Sequence, residues 1–548
     1  MSPDFQSIIR LQSLVPLYNM MQNLTTTLSA CNASSIPYPV VFGANVLDLT
    51  ATLVQNYTGA FDPETQSHSI AARNIDFCNV TVTYTHEGQN ETINVETWLP
   101  IDKWNGRLQA VGGGGWVAGR FSISYLAMDD ALGEGYVATT TDGGLGTSAS
   151  PDPWALNSPG NVNLYALQNL ASRSLSDQSF IAEDVTKSFY GQAAKFSYWN
   201  GCSQGGRQGF MLAQRYPEAY DGIVAGAPAI NWNELFFNAA WAQVMMSMTN
   251  QFPTKCELDA LTQAAVASCD LLDGVADGMI SDVDNCFFDP FSMVGSVRNC
   301  TSTGKAVTIS EGAAVIANAT WEGPRGPDGE FLWYGVDLAS DLTGSDGSDG
   351  SPFQLAIATT TCNANGTCTG APAGLGEAWL QLFVKKDPEW NYTLISSVEE
   401  YTRLLKSAIQ EYESIIETAD PDLSEYRKAG GKIMTFHGLA DGIIPHKATD
   451  DYYRRVMDLD TNVDDFFRYF QVPGLGHCKG GPAGEPPATF HALVDWVEKD
   501  VVPETLPVSF NDTAGTHYDR FLCPYPMKTR LISKDSDVTK AESYECAL

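Results

Sequence analysis

The chain has 548 residues, of which 44% are hydrophobic, and a formal net charge of −33. This length and apolar content are enough for a large core and for more than one domain. The charge argues against nucleic acid and other polyanions as partners, because a strongly negative protein repels them. No run of about twenty apolar residues is present, so the sequence predicts no membrane span.

An early glycine-rich loop follows a predicted strand. Residues 107–111 (RLQAV) have the pattern of a strand, and residues 112–116 (GGGGW) come directly after it. Enzymes that transfer acyl groups need backbone N–H donors for the oxyanion, and one donor often comes from such a loop. We therefore predict the amide of Gly114 as an oxyanion donor. The alternative is a flexible glycine turn without a role.

A nucleophile elbow is predicted around Ser203. Residues 201–205 (GCSQG) fit the pattern GxSxG. Residues 195–200 indicate a short aromatic strand, and residues 207–216 have the apolar spacing of a helix. A strand, a sharp turn and a helix are the context that this motif requires. Ser203 is the candidate nucleophile, and the amide of Gln204 is the candidate first oxyanion donor.

A long segment, residues 231–421, interrupts the alternation of strands and helices. It is rich in aromatic residues, glycines and turn signals. We predict that this inserted segment is a lid domain, and that residues 1–230 and 422–548 form the catalytic domain. Within the segment, Trp333 and Tyr334 are candidates for substrate contact. The alternative for both rings is the core of the lid.

An acidic loop lies inside the inserted segment. Residues 269–282 (CDLLDGVADGMISD) carry acids every three to five residues among glycines. Hard cations such as Ca²⁺ bind about six to eight oxygen atoms, which carboxylates and main-chain carbonyls can supply. The spacing is not that of an EF-hand. A solvated acidic turn is therefore the alternative to a metal site.

Two later loops supply a candidate acid and a candidate base. Residues 432–436 and 467–472 indicate buried strands, and Asp441 and His477 lie in the loops that follow them. The order Ser203, Asp441, His477 is that of the α/β-hydrolase triad. Only His477 is followed by a cysteine, Cys478, that could pair with Cys202 beside the serine. The nearby competitors are Asp450, Asp451 and Asp464 for the acid, and His437, His446 and His491 for the base.

Together, GGGGW, GCSQGG, HGLAD and GHC resemble the tannase and feruloyl esterase family, whose hallmark is a Cys-Ser, Asp, His-Cys arrangement. The resemblance extends from about Ile75 to Cys546 and implies the α/β class, with an α/β-hydrolase core and a large inserted lid domain. It also implies a Ser203, Asp441 and His477 triad, a structural Ca²⁺ site and no organic cofactor. The implied calcium ligands are the side chains of Asp270, Asp273 and Asp277 and the carbonyls of Val275 and Met279.

The twelve cysteines are an even number, which suits an oxidised framework. Connectivity does not follow from sequence alone, so the pairs come from the resemblance. The implied pairs are Cys31 with Cys78, Cys202 with Cys478, Cys269 with Cys286, Cys362 with Cys368, and Cys523 with Cys546, which leaves Cys256 with Cys300.

The cysteines and the N-glycosylation sequons indicate a secreted glycoprotein. Ten sequons begin at Asn23, Asn32, Asn56, Asn79, Asn90, Asn299, Asn318, Asn365, Asn391 and Asn511. The start of the chain lacks a basic leader followed by a compact apolar run, so no signal peptide is recognised. We expect a trimmed form, with an intracellular protein as the alternative.

The motifs therefore predict a carboxylic ester hydrolase that works through an acyl-enzyme, and the resemblance implies a small aromatic ester as its substrate. The resemblance implies esters of phenolic acids, with a hydroxycinnamate or gallate as the acyl group. A related alternative is a tailoring esterase or acyltransferase of fungal secondary metabolism. An alternative from another class is a non-catalytic, calcium-stabilised binding protein on the same fold.

Overall fold

A nine-stranded mixed sheet forms the centre of the protein. The structure is a computed structural model and describes residues 30–59, 72–300, 303–344, 356–512 and 514–548. In chain order the strands of the sheet are β1 (Ala44–Tyr57), β2 (Ile75–His86), β3 (Ile93–Pro100), β4 (Arg107–Val111), β5 (Val137–Thr141), β6 (Phe196–Cys202), β7 (Gly222–Gly226), β8 (Lys432–Gly438) and β9 (Phe467–Val472).

The strand order is β1-β2-β3-β5-β4-β6-β7-β8-β9. The first three pairings are antiparallel, and the remaining five, from β5 to β9, are parallel. The predicted strands at residues 107–111 and 467–472 match β4 and β9. Because β4, β6, β7, β8 and β9 are parallel, the loops that follow them meet at one edge of the sheet.

Helices cover both faces of the sheet, because its central strands are apolar on both sides. Neighbouring residues of β6 illustrate this: Tyr198 packs in one core cluster and Trp199 in another, and both are buried. The helices before the inserted segment are α1 (Ser122–Gly133), α2 (Leu164–Gln168), α3 (Ser174–Tyr190) and α4 (Gln204–Arg215), and a π-helical turn, Asn169–Arg173, joins α2 to α3.

The inserted segment adds no strand to the central sheet in the part of it that the structure describes. Its helices are α5 (Trp232–Thr249), α6 (Lys255–Cys269), α7 (Glu311–Glu322), α8 (Leu375–Ala378) and α9 (Val398–Ile416), with a π-helical turn at Trp379–Val384. After it come α10 (Ser424–Ala429), α11 (His446–Leu459) and α12 (Thr489–Lys499). Two helices, α1 and α12, pack on one face of the sheet. Three helices, α3, α4 and α11, pack on the other face. This is the predicted α/β-hydrolase architecture.

Short two-stranded ribbons and 3₁₀ turns complete the described chain. The ribbons pair Leu156–Ser158 with Asn161–Val162, Val297–Asn299 with Ala306–Thr308, Thr360–Cys362 with Cys368–Gly370, Leu506–Asn511 with His517–Leu522, and Lys528–Leu531 with Tyr544–Ala547. The 3₁₀ turns are Ala33–Ser35, Asp270–Asp273, Val283–Asn285, Pro290–Met293, Pro327–Gly329, Tyr392–Leu394, Val463–Asp465 and Ala541–Ser543.

One aromatic cluster joins the glycine-rich loop to the inserted segment. Trp116 is 1% exposed, and its ring lies 5.0 Å from that of Phe236 and 5.3 Å from those of Trp232 and Phe383. Buried aromatic rings contribute large apolar areas and prefer stacked or edge-on contacts of this kind. The inserted segment is therefore packed onto the loop that follows β4.

Candidate active site

Ser203 lies at a sharp turn between β6 and α4. Its backbone has φ 62° and ψ −121°, a conformation that residues with a side chain rarely adopt. Close backbone packing makes the turn possible, since a Cβ on Gly206 would lie 2.4 Å from the carbonyl oxygen of Gly226. The Ser203 N–H donates to the same carbonyl at 3.0 Å. The elbow geometry predicted from GxSxG is present and leaves Ser203 partly exposed.

Asp441 and His477 form a hydrogen-bonded pair. The Nδ1 atom of His477 lies 2.8 Å from Oδ2 of Asp441, and both residues are buried. The other carboxylate oxygen, Oδ1, accepts the N–H groups of Ile443 and Ile444 at 2.9 Å each. With Nδ1 directed at the carboxylate, Nε2 is the ring nitrogen left for a serine hydroxyl, as in a catalytic triad.

A second histidine, His437, contacts the same carboxylate. Its Nε2 atom lies 3.2 Å from Oδ2 of Asp441 and 3.1 Å from the carbonyl oxygen of Ile444. Both neighbours are acceptors, so Nε2 must carry the proton. Burial alone would raise the pKa of Asp441, but the charges and hydrogen bonds of His477 and His437 outweigh it and hold that pKa well below its ordinary value. The carboxylate is therefore ionised at neutral pH.

A disulfide connects the serine loop to the histidine loop. Cys202 and Cys478 are bonded, with their Cα atoms 6.0 Å apart. Cys202 directly precedes Ser203, and Cys478 directly follows His477. The bond places the two loops side by side at the same edge of the sheet.

A cavity of about 330 Å³ opens onto these residues. Ser203, Gln204 and His477 contribute to its lining, together with the glycine-rich loop. Apolar residues make up much of the remaining wall. They include Ile123, Leu126, Trp232, Leu235, Phe236 and Phe490. A concave, mostly apolar site with a few polar groups is typical of small-molecule pockets.

The structure corrects the prediction for the second oxyanion donor. The N–H of Gly114 donates to the carbonyl of Val117 at 3.1 Å, and the N–H of Val117 donates back to Gly114 at 2.9 Å. This closed turn occupies the Gly114 amide. Within the described residues, the Gly115 N–H has no acceptor, and Gly115 lines the cavity. The Gln204 N–H is at the first position of α4, where helical N–H groups lack an intrahelical partner.

Trp333 and Tyr334 do not line the cavity that contains Ser203. Trp333 lines a separate cavity of about 550 Å³, and the two rings pack edge-on with centroids 5.2 Å apart. Their prediction as substrate contacts is therefore not supported. The sequence pattern identified aromatic residues but could not show which cavity they face.

The aromatic wall of the cavity instead comes from α5 and α12, which the sequence reasoning missed. Trp232 and Phe236 lie on the first two turns of α5, and Phe490 lies at the start of α12. A usable signal existed, since the aromatic start of α5 follows β7 by only a few residues. Residues that follow a parallel strand lie at the edge where the active-site loops meet.

The competing acids and histidines have other partners. His446 lies 3.2 Å from Asp450, and Asp464 accepts a hydrogen bond from Tyr453 at 2.9 Å. The remaining competitors also form contacts elsewhere: Asp451 with Arg455 and His491 with Glu134. Of the three alternative histidines, only His437 reaches the Asp441 carboxylate.

The structure contains six disulfides, and all twelve cysteines are paired. Five pairs are those that the resemblance implies: Cys31–Cys78, Cys202–Cys478, Cys269–Cys286, Cys362–Cys368 and Cys523–Cys546. The sixth, Cys256–Cys300, is the pair that these five leave. The bond between Cys269 and Cys286 closes the acidic loop.

The acidic loop uses its carboxylates on its own backbone. Asp270 Oδ1 accepts the N–H groups of Asp277 and Gly278 at 3.1 and 3.0 Å, and Asp273 Oδ1 accepts that of Val275 at 2.9 Å. Asp277 accepts the Met279 N–H at 3.1 Å. Its other oxygen, Oδ2, lies 2.8 Å from Nη2 of the Arg520 guanidinium.

The donor types of this loop fit a hard cation, although the side chains are not arranged around one. Among the described residues, no group of three His, Cys, Asp or Glu side chains is placed so that it could hold a metal ion. Burial raises the pKa of Asp273 and raises that of Asp277 to about 6. Nearby hydrogen bonds and the charge of Arg520 therefore do not fully offset the cost of burying these two carboxylates. Val275 and Met279 are buried beside them.

The comparisons with known proteins show the family. The family model described as tannase and feruloyl esterase matches residues 78–547. The chain belongs to the tannase and feruloyl esterase family. A probable feruloyl esterase of Arthroderma benhamiae is 37% identical over 525 residues, which cover 94% of this chain and 93% of that protein.

Solved structures of this family have the same fold. The tannin acyl hydrolase from Aspergillus niger superposes with a TM-score of 0.80 at 26% identity, covering 94% of each chain. Feruloyl esterase B from Aspergillus oryzae gives a TM-score of 0.77 at 25% identity, covering 95% of this chain and all of that one. The predicted family and the predicted enzyme class are therefore confirmed, and this family member is a carboxylic ester hydrolase.

Proposed function

We propose that this enzyme hydrolyses esters of phenolic acids, with a hydroxycinnamate such as ferulate, caffeate or coumarate, or gallate, as the acyl group. The observation that carries the proposal is the meeting of Ser203 and the Asp441–His477 pair at one mostly apolar cavity. The names of its relatives, feruloyl esterase and tannin acyl hydrolase, support the same class of substrate.

The proposed chemistry begins with Ser203. Its Oγ attacks the ester carbonyl carbon while Nε2 of His477 takes the hydroxyl proton. Asp441 keeps the imidazole oriented through Nδ1 and stabilises the imidazolium that forms. The protonated His477 then gives its proton to the departing alkoxide, and the acyl group remains on Ser203.

Two backbone amides are the proposed donors to the oxyanion. Gln204 supplies the amide of the residue after the nucleophile, and Gly115 supplies the amide from the glycine-rich loop, in place of Gly114. Donors fixed before the reaction stabilise the negative charge that develops on the carbonyl oxygen. A water molecule, deprotonated by His477, then attacks the acyl-enzyme and releases the phenolic acid.

The test compares hydrolysis of methyl ferulate, methyl caffeate, methyl gallate and p-nitrophenyl acetate by the wild type and by Ser203→Ala. We expect turnover of at least one phenolic ester and a loss of about a thousandfold or more in Ser203→Ala. Turnover of the acetate alone would indicate a tailoring esterase. Absence of any Ser203-dependent rate, with no labelling by a serine-reactive phosphonate, would support a binding protein instead.

A calcium ion at the acidic loop is a further part of the proposal. The ligands would be the side chains of Asp270, Asp273 and Asp277 and the carbonyls of Val275 and Met279. The oxygen-only donor set, the burial of Asp277 and the partial burial of Asp273 support it. The ion would stabilise the loop and would take no part in the ester chemistry.

Secretion and N-glycosylation also belong to the proposal. Six disulfides favour an oxidising compartment. Within the described residues, no helix is long and apolar enough to cross a membrane. The sequon asparagines that are exposed are Asn32, Asn56, Asn90, Asn299, Asn365, Asn391 and Asn511, and Asn23 lies outside the described residues. A mass decrease after treatment with an N-glycosidase would test the glycans.

A further inference from the structure

One wall of the active-site cavity is the first part of α5. Trp232, Leu235, Phe236 and Ala239 all line the cavity that contains Ser203. They come from consecutive turns of one helix, so they move together if the N-terminal end of α5 shifts. The position of that end therefore affects the width of the pocket that contains Ser203.

The N-terminus of α5 takes its cap from a distant part of the chain. Its own N-cap residue, Asn231, makes no side-chain capping bond. Instead, Glu417 Oε1 accepts the N–H of Trp232 at 2.8 Å, and Oε2 accepts the N–H and the Nδ2–H of Asn233 at 3.4 and 2.9 Å. Acceptor oxygens placed there satisfy N–H groups that a helix N-terminus leaves free. Burial and the neighbouring Glu234 raise the pKa of Glu417 well above its ordinary value, so the cap acts through these hydrogen bonds.

Glu417 is itself fixed to the nucleophile elbow through the next residue. The N–H of Thr418 donates to the carbonyl of Ile230 at 3.1 Å, so the entrance and the exit of the inserted segment are bonded to each other. The Oγ1 atom of Thr418 accepts Nη1 of the fully buried Arg207 at 3.3 Å. The Arg207 Nε–H donates to the side chain of Gln204 at 2.6 Å.

We propose that Glu417 is a positioning residue that holds the α5 wall of the substrate pocket in place relative to Ser203, and so sets the preference for bulky aromatic acyl groups. The inference rests on the proposed function. A phenolic acyl group must fill the space between Ser203 and α5, whereas an acetyl group is too small to need that wall. Loss of the cap therefore weakens the binding of aromatic esters and leaves the chemistry of small esters intact.

The experiment measures kcat and KM for methyl ferulate and p-nitrophenyl acetate in the wild type, Glu417→Gln and Glu417→Leu. Glutamine keeps one acceptor oxygen for the helix end, and leucine keeps none. We expect KM for methyl ferulate to rise about tenfold in Glu417→Leu, the size that the loss of a helix cap corresponds to, and less in Glu417→Gln. The kcat/KM for the acetate stays within about twofold of the wild type.

Glu413→Gln is the matched control. Glu413 lies one turn earlier on α9, is exposed and lines the same outer cavity as Glu417, and its substitution removes a carboxyl group there while leaving the hydrogen bonds to Trp232 and Asn233 in place. Glu413→Gln should leave kcat and KM unchanged for both substrates. Melting temperature and phosphonate labelling of Ser203 establish that each variant is folded with a reactive serine. If Glu417→Leu does not fold, Glu417→Gln tests the role of Glu417 instead. The quantity compared is then the ratio of kcat/KM for methyl ferulate to kcat/KM for p-nitrophenyl acetate.

An equal loss of kcat/KM on both esters, or no loss on either ester in folded variants, would overturn the role of Glu417. A charge effect would appear as the same change in Glu413→Gln and would also overturn it. Failure of the wild type to hydrolyse any aromatic ester would instead remove the proposed function. Failure of the Glu417 role and failure of the proposed function are therefore distinguishable. The first is measured in variants of an enzyme whose wild type hydrolyses an aromatic ester.

Discussion

The Cα atoms of Cys202 and Cys478 lie 6.0 Å apart, and the disulfide between them joins the neighbours of Ser203 and His477 across 276 positions of sequence. The closed loop contains the whole inserted segment. In the chain-entropy model, closing a loop of this length restricts the unfolded state by about 5 to 6 kcal/mol. The same bond restrains the histidine loop beside the elbow, so it couples stability to the geometry of the site.

Replacing both Cys202 and Cys478 with Ala should lower the melting temperature and kcat together. The unfolded chain gains freedom, and the loop that carries His477 loses its covalent link to the elbow. A displacement of about 1 Å at a reacting group can cost about a hundredfold in rate, so we expect kcat to fall at least about tenfold. Thermal unfolding and initial rates on the best phenolic ester measure the two effects.

The control for this variant is the pair Cys31→Ala and Cys78→Ala. That disulfide joins the N-terminal end of the described chain to β2, and neither cysteine lines the active-site cavity. Its loss should lower the melting temperature and leave kcat within about twofold. A normal kcat after loss of the Cys202–Cys478 bond would show that the bond serves stability alone.

Asp441→Asn should reduce kcat by about a thousandfold to ten-thousandfold while the protein stays folded. An amide cannot stabilise the imidazolium of His477, and its NH₂ group would favour the wrong tautomer of the ring. The measurement is kcat on a phenolic ester, with Asp451→Asn as the control, since Asp451 pairs with Arg455 on α11. Near wild-type turnover in Asp441→Asn would rule out this carboxylate as the triad acid.

The features that depend on local sequence were predictable. Ser203 needed only a strand, a turn with glycines and a helix, and these signals are all within about twenty residues of chain. Asp441 and His477 each follow a buried strand, and parallel strands bring such loops to one edge of the sheet. The positions of all three therefore follow from local patterns and one topological rule.

The features that depend on distant contacts were not predictable. The amide of Gly114 is occupied because Val117 closes a tight turn, which a run of glycines does not reveal. Trp333 faces a different cavity from Trp232, although both are aromatic residues of the inserted segment. The contact of His437 with Asp441 depends on where the loop after β8 folds back. Packing between distant parts of the chain sets such contacts. The sequence pattern shows which residue types are present but not which way their side chains point.

If the acidic loop binds calcium, the purified enzyme should contain about one equivalent of calcium by elemental analysis. Removal with a chelator should lower the melting temperature, and added Ca²⁺ should restore it, because an ion that binds only the folded state stabilises it. Asp273→Asn should weaken the response to both treatments. The purified enzyme could instead contain no metal and keep the same melting temperature with chelator and with added calcium. That result would show that the loop is a solvated acidic turn.

His446 should make the stability of the enzyme fall on the alkaline side of neutrality. Burial disfavours its charged form, but Asp450 and Asp337, at 3.2 and 3.4 Å, outweigh burial and raise the pKa of His446 to about 9. Asp337 belongs to the inserted segment and Asp450 to α11. The charged imidazolium therefore links the inserted segment to α11.

Because the pKa of His446 is higher in the folded state than in the unfolded chain, the charged form adds stability that is complete below about pH 6.5. That stability, about 3 kcal/mol, is lost as the pH rises through about 9. Chemical unfolding of the wild type at pH 6 and pH 9.5 should show this loss, and His446→Gln should lack it. His517→Gln is the control, since His517 is exposed on the ribbon strand His517–Leu522. An equal loss in His446→Gln and the wild type would assign the alkaline destabilisation to other groups.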